Sequence, residues 1–188
     1  MNKKNILSIT VVVVAAVIAF NTSAVAQVKY FKGYVLLLNG DTLKGELKKN
    51  MKKEFDNFAR ASFRKSEGAE MKTYRADKIK EYAVDGVVFV SRNVEGEQVF
   101  VKRVSKGAVT LYESQIEVLK MNDIVVKSDY YMEKEAGEFI KIKSGKFKKQ
   151  MTDVMGDNEQ IVKGLEEKKY DYENIVEVFK EYNKSASN

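Results

Sequence analysis

Histidine, cysteine, tryptophan and proline are all absent from the 188 residues. Without cysteine or histidine there is no thiol nucleophile, no Ser-His or Cys-His pair, and none of the usual ligand sets for zinc, copper or haem. The side chain that most often carries acid–base catalysis near neutral pH is missing as well. No disulfide can close a loop, and no lipid can be attached through an amino-terminal cysteine. The lack of tryptophan and proline removes two residues common in carbohydrate platforms and rigid loops. No metal ligand, cofactor-binding residue or catalytic residue is therefore expected. An enzyme built from this alphabet would be a hydrolase or transferase working through carboxylate, Ser, Lys or Tyr groups.

Long apolar runs are scarce too. The longest covers residues 6–20 and is interrupted only by Ser8 and Thr10. It follows Lys3 and Lys4 and precedes Asn21-Thr22-Ser23 and Ala24-Val25-Ala26, the small-x-small pattern of a signal peptidase site. A membrane-spanning helix wants about 20 apolar residues, so this segment reads as a secretory signal peptide cleaved after Ala26. Removing those 26 residues leaves 162, a length that suits one domain burying about 68–70% of its unfolded surface. No transmembrane span is expected in the mature chain, which is read as periplasmic or secreted. Without Lys3 and Lys4 the balance is 31 basic to 27 acidic side chains. The two signs are interspersed, which describes a well-solvated surface rather than a polyanion-binding face.

Residues 27–143 read as β-rich. Asn39-Gly40 separates strand-like residues 30–38 from 42–47, and Asp85-Gly86 separates 79–84 from 87–91; these dipeptides favour tight hairpins with positive φ. Ser105-Lys106-Gly107 is a three-residue connection between 98–104 and 108–114, with the glycine placed for a left-handed conformation. Asn122-Asp123 divides 116–121 from 124–127, and Ala136-Gly137 divides 130–134 from 138–142. Residues 48–57 read as a charged loop or a short helix. The recurrence of turns implies an antiparallel meander, as a sheet or partly open barrel.

From residue 144 the apolar period changes from 2 to 3.6. Phe147, Met151, Val154 and Met155 share a helical face, with Gly156 as its stop. Asp157 and Gln160 open a second helix bearing Ile161, Val162 and Leu165. A third is expected from Asp171, with Tyr172, Ile175, Val176, Phe179 and Tyr182 on one stripe. Residues 144–184 thus form a helical region packed on the sheet, giving an α+β domain, and residues 185–188 read as a frayed tail.

Ser62-Phe63-Arg64-Lys65 has the Ser-x-x-Lys spacing of penicillin-interacting serine enzymes, and Ser128-Asp129 and Lys143-Ser144-Gly145 mimic their later motifs. The charged, strand-like setting and the short separation of the last two argue against that chemistry. Lys141, Lys143, Lys146, Lys148 and Lys149 form the densest basic cluster, a candidate binding patch for an anionic envelope component. Tyr130 and Tyr131 are adjacent, so on a strand they face opposite ways. Nucleic acid is not an expected partner for an exported chain without aromatic–basic stacking motifs.

Gly33-Tyr34-Val35 leading to Asn39-Gly40-Asp41-Thr42-Leu43-Lys44-Gly45, the stretch from Arg103-Val104 through Gly107 to Leu111-Tyr112, and the terminal Tyr182-Asn183 resemble a group of exported proteins of Bacteroidetes-type bacteria. The resemblance implies a Gram-negative envelope location and carries no activity or site residues. The expectation is a non-enzymatic binding or scaffolding module that meets an envelope protein or anionic envelope component.

Overall fold

The computed structural model describes residues 29–121, 123–134 and 137–186. The segment read as a signal peptide lies outside them. Ten strands form one antiparallel sheet, in the order β10-β9-β8-β7-β6-β5-β1-β2-β3-β4. They are β1 (Lys29–Leu37), β2 (Thr42–Lys49), β3 (Ala61–Arg64), β4 (Lys72–Tyr74), β5 (Ile79–Val84), β6 (Val87–Val94), β7 (Glu97–Ser105), β8 (Val109–Lys120), β9 (Asp123–Lys134) and β10 (Phe139–Lys141). The chain builds β2, β3 and β4 to one side of β1. It then returns through a 3-10 turn at Ala76–Lys78 to lay β5 on the other edge of β1. From there it runs as a meander to β10.

Turn chemistry explains the hairpins. Asp85 and Gly86 both have positive φ (53° and 75°), the two-residue turn that matches strand twist. Asn39-Gly40 departs from that expectation, because only Gly40 is left-handed, at φ 97°. Its amide donates to the Leu37 carbonyl at 3.0 Å, and the Asn39 side chain accepts from the Asp41 amide at 3.1 Å. The asparagine thus stabilises a wider loop through its own side chain. A further two-residue turn, Glu95-Gly96, joins β6 to β7 and was not signalled by an Asn-Gly or Asp-Gly pair.

Short helix α1 (Phe55–Ala59) links β2 to β3 and packs on β7 and β8. Asn50 and Asn57 fix it: the Asn57 side-chain Oδ1 accepts from the Asn50 backbone amide at 3.0 Å, and its Nδ2 donates to the Asn50 backbone carbonyl at 3.2 Å. Phe58 enters a cluster with Val35, Leu47, Phe63, Ile79, Tyr82, Phe89 and Phe100. Phe58 meets the Phe89 ring edge-on at 5.3 Å and Tyr82 stacks on Phe89 at 4.8 Å. The sheet must coil for a helix between β2 and β3 to reach β7, as long twisted sheets do.

Helices α2 (Phe147–Met155), α3 (Glu159–Glu166) and α4 (Ile175–Ser185) cover the same sheet face farther along. Their Phe147, Met151, Met155, Ile161, Leu165, Ile175, Val178, Phe179 and Tyr182 bury Val109, Leu111 and Met132 of β8 and β9. The architecture is the expected α+β meander with carboxy-terminal helices. Local details differ from the sequence reading. Asn158, one residue after Asp157, caps α3 by accepting from the Ile161 amide at 3.1 Å. Asp157 instead accepts from the Tyr182 hydroxyl at 3.1 Å. Residues Asp171 and Asn174 hold each other in a turn, so α4 starts at Ile175.

Gly107 is not left-handed. A Cβ there would lie 2.3 Å from Cγ of Asn183, so the glycine admits the side chain that docks α4. Buried Asn183 accepts from the Val109 amide at 3.1 Å and donates to the Val109 carbonyl at 2.8 Å and the Ser105 hydroxyl at 3.0 Å. Asn183→Ala is expected to destabilise the domain by about 2–3 kcal/mol, because it strands a buried amide and carbonyl. Chemical denaturation checks this, and an unchanged midpoint would contradict the docking role.

Candidate functional site

The expected lysine patch divides in the structure. Lys141 is engaged by Asp129 at 2.9 Å and Glu95 at 3.1 Å. The Asp129 bond, chief among its influences, holds its ammonium above the ordinary range. Lys143, Lys146, Lys148 and Lys149 are exposed around the start of α2. Lys146, Lys148 and Lys149 line a shallow depression of about 510 Å³ with Ser144, Gly145, Phe147, Thr152 and Asp153. The Ser-x-x-Lys resemblance dissolves: Ser62 sits on β3 and Ser128 on β9, seven places apart in the sheet. Tyr130 and Tyr131 do face opposite ways, Tyr130 against the Tyr172 ring at 5.8 Å and Tyr131 stacked on Phe139 at 4.8 Å.

Two groups of charged residues were not anticipated. On the sheet face away from the helices, the Tyr34 hydroxyl donates to Glu81 at 2.6 Å, and Arg103 reaches the same carboxylate at 3.0 Å. Beside them Arg92 meets Glu133 at 2.9 Å, and the Tyr112 hydroxyl donates to Glu133 at 2.7 Å. Burial and then the Glu81 carboxylate push the Tyr34 phenol up to about 12. Burial alone would raise Glu133, but Tyr112 and Arg92 together hold it below the ordinary carboxylate range. At neutral pH this phenol keeps its proton and this carboxylate has none to give, which suits a structural bridge better than acid–base chemistry. A signal was legible: Arg92 occupies a position in a period-two run with Val88, Val90 and Val94.

The second group lies between the two apolar clusters on the helix-bearing face. Lys102 and Glu113 meet at 2.5 Å, and Lys102 also meets Glu54 at 3.0 Å, just before α1. The Glu113 carboxylate also accepts from the Ser128 hydroxyl at 2.7 Å and from the Gln115 side-chain amide at 3.1 Å. Burial, the strongest influence, would lift the Glu113 carboxyl, but Lys102, Ser128 and Gln115 bring it below the usual range. Burial would likewise lower the Lys102 ammonium, yet Glu113 and Glu54 raise it overall.

This pair marks a boundary. Lys102↔Glu113 is the outermost register match between β7 and β8. Beyond it β7 continues back to Glu97, still paired with β6, and β8 continues to Lys120, still paired with β9. The two strands therefore fork. In the fork lies a cleft of about 450 Å³, bordered by Phe55, Val94, Val99 and Ile116 and by the carboxylates Glu95, Glu97 and Glu117, with no lysine or arginine among the described residues of its lining. Past it, the outer halves of β8 and β9 project as a two-stranded arm. Leu119 is 76%, Met121 90%, Ile124 69% and Val126 51% exposed. Leu119 faces Ile124 and Glu117 faces Val126 on one side of the arm; Val118 faces Val125 on the other. A two-stranded ribbon is marginal in water, and this one carries apolar side chains on both of its faces.

Among the described residues no group of three or more acidic side chains is placed to hold a metal ion, and no helix is long and apolar enough to cross a membrane. No protein family, curated protein or solved structure matches the chain.

The Lys102–Glu113 pair makes stability depend on pH with a definite sign. A folded-state pKa of Glu113 below its unfolded value stabilises above about pH 4.3, and this contribution is lost as the pH falls through the folded value. Lys102 is raised, so its share is complete below about pH 10.4 and is lost at more alkaline pH. Lys102→Met is expected to cost about 3 kcal/mol at pH 7 by leaving Glu113 buried without its cation. That deficit is expected to shrink on acidification as Glu113 takes up a proton. Parallel melting curves for wild type and variant from pH 7 to pH 4 would contradict this coupling.

Proposed function

We propose that the protein is a non-enzymatic binding or scaffolding module of the cell envelope that engages a partner protein through its β8–β9 arm. One observation carries the reading: a ribbon that leaves the sheet with Leu119, Met121, Ile124 and Val126 in solvent. In the other described strands the large apolar side chains are buried or half-buried, and the exposed Leu38, Met51 and Met71 lie singly in loops, so this concentration is not explained by folding alone. Export is supported by the signal-like pattern of residues 1–26. The carboxylates bound by arginine or lysine and the raised tyrosines supply no group poised to exchange protons at neutral pH.

A second reading places an anionic envelope component on Lys143, Lys146, Lys148 and Lys149, supported by their exposure beside one another at the start of α2.

Leu119→Ser combined with Ile124→Ser tests the main reading. Both side chains are solvated, so the melting temperature is expected to stay within a few degrees of wild type. Cross-linked capture of the partner from the envelope fraction is expected to fall at least about tenfold. Undiminished capture by the double variant would contradict the arm as the docking element. Loss of capture in a Lys146→Glu, Lys148→Glu variant instead would favour the lysines.

A further inference from the structure

We propose that the β7–β8 fork receives an extended peptide strand carrying alternating apolar and basic residues, which pairs its backbone with the free strand edges. This deepens the arm reading, and rests on it, by naming the chemistry of the partner segment.

β7 over residues 97–101 is bonded to β6 on one edge and to nothing in the ladder on the other. β8 over residues 114–120 is bonded to β9 and is open toward β7. Each strand therefore offers unmatched N–H and C=O groups to the same gap, the arrangement that strand addition uses for affinity. The gap lies in the plane of the sheet. Its lining draws on both sheet faces, Val94, Val99 and Ile116 from one and Phe100, Gln115 and Glu117 from the other. Its volume of about 450 Å³ falls in the range of roughly 300–1,000 Å³ typical of ligand sites. A third strand would also relieve the marginal stability of the two-stranded arm.

Charge selects the occupant. The whole chain carries a formal charge of +6, yet the cleft is lined by Glu95, Glu97 and Glu117 without a single lysine or arginine among the described residues of its lining. Glu95 is held by Lys141, while Glu97 and Glu117 are solvated at the rim. The apolar side chains around Phe55, Val99 and Ile116 favour apolar residues inside, and the rim carboxylates favour lysine or arginine beside them. A second copy of this chain, itself basic, is the competing occupant.

The test uses the folded mature protein and an eight-residue peptide of alternating lysine and valine. Saturable one-to-one binding is expected, with amide shifts confined to residues 97–101 and 114–118. A glutamate–valine peptide, and a lysine–proline peptide that lacks the backbone N–H at every second position, are expected to bind at least about tenfold more weakly. Glu97→Lys with Glu117→Lys reverses two solvated charges and is expected to weaken lysine–valine binding about tenfold while leaving the melting temperature unchanged. Absence of saturable binding, equal binding of the glutamate–valine peptide, or shifts centred elsewhere would overturn the proposal. So would concentration-dependent dimerisation in sedimentation that protects the same edges, since the occupant would then be a second copy. If the arm variant loses its partner but the lysine–valine peptide does not bind, the strand proposal fails and the arm reading stands; if the arm variant keeps its partner, the arm reading fails.

Discussion

Lys102 and Glu113 meet where β7 and β8 part, and much of the surrounding structure answers to that pair. A lysine and a glutamate drawn out of water at 2.5 Å must have their remaining hydrogen-bonding capacity met. Glu54 supplies this from the start of α1, Gln115 from β8 and Ser128 from β9. The pair thereby ties the helix that fills the first apolar cluster to the strands that carry the second. On its inner side β8 lies under α4 and is pinned at Val109 by Asn183. On its outer side, past Glu113, β8 keeps ladder pairing with β9 alone, with α1 alongside the cleft.

That asymmetry separates the molecule into a stabilised body and a projecting element. The body closes its apolar surface twice on one face, with α1 and with α2–α4, and closes the other face with Tyr112, Tyr131, Phe139 and the arginine–glutamate bridges. Within the body, burial and Glu81 push the Tyr34 phenol up, while Tyr112 and Arg92 hold Glu133 below the ordinary carboxylate range. The arm does the reverse: its apolar side chains are unburied and its backbone edge is open. An open strand edge beside exposed apolar side chains is the kind of feature that strand addition by another chain uses, and the proposed binding role rests on it.

Much of the fold was legible because period and turn chemistry are local. The Asp85-Gly86 hairpin, the change from period 2 to 3.6 near residue 144, and the stripes around Met151 and Phe179 all follow from nearest neighbours in sequence. The arm did not. Polar Glu113, Ser114 and Gln115 interrupt the apolar alternation, so residues 108–114 and 116–121 read as two short strands rather than β8. Only Lys102 and Ser128, brought in from other strands, show why a charged residue belongs there. Within the lysine cluster, Lys141 also reaches Glu95, 46 residues away in sequence, a partner that no local pattern reveals. The fork brings Phe55 and Phe58 of α1 beside Val99 of β7 and Ile116 of β8, a tertiary juxtaposition that no window of sequence contains.

Amide hydrogen exchange on the purified protein tests the fork most directly. If β8 leaves β7 after Glu113, amides facing the cleft, roughly alternate ones in 114–120 and 97–101, exchange orders of magnitude faster than those of 111–113. Uniform protection along all of β8 and β7 would mean that the strands stay paired, and would contradict both the open edge and the account built on it.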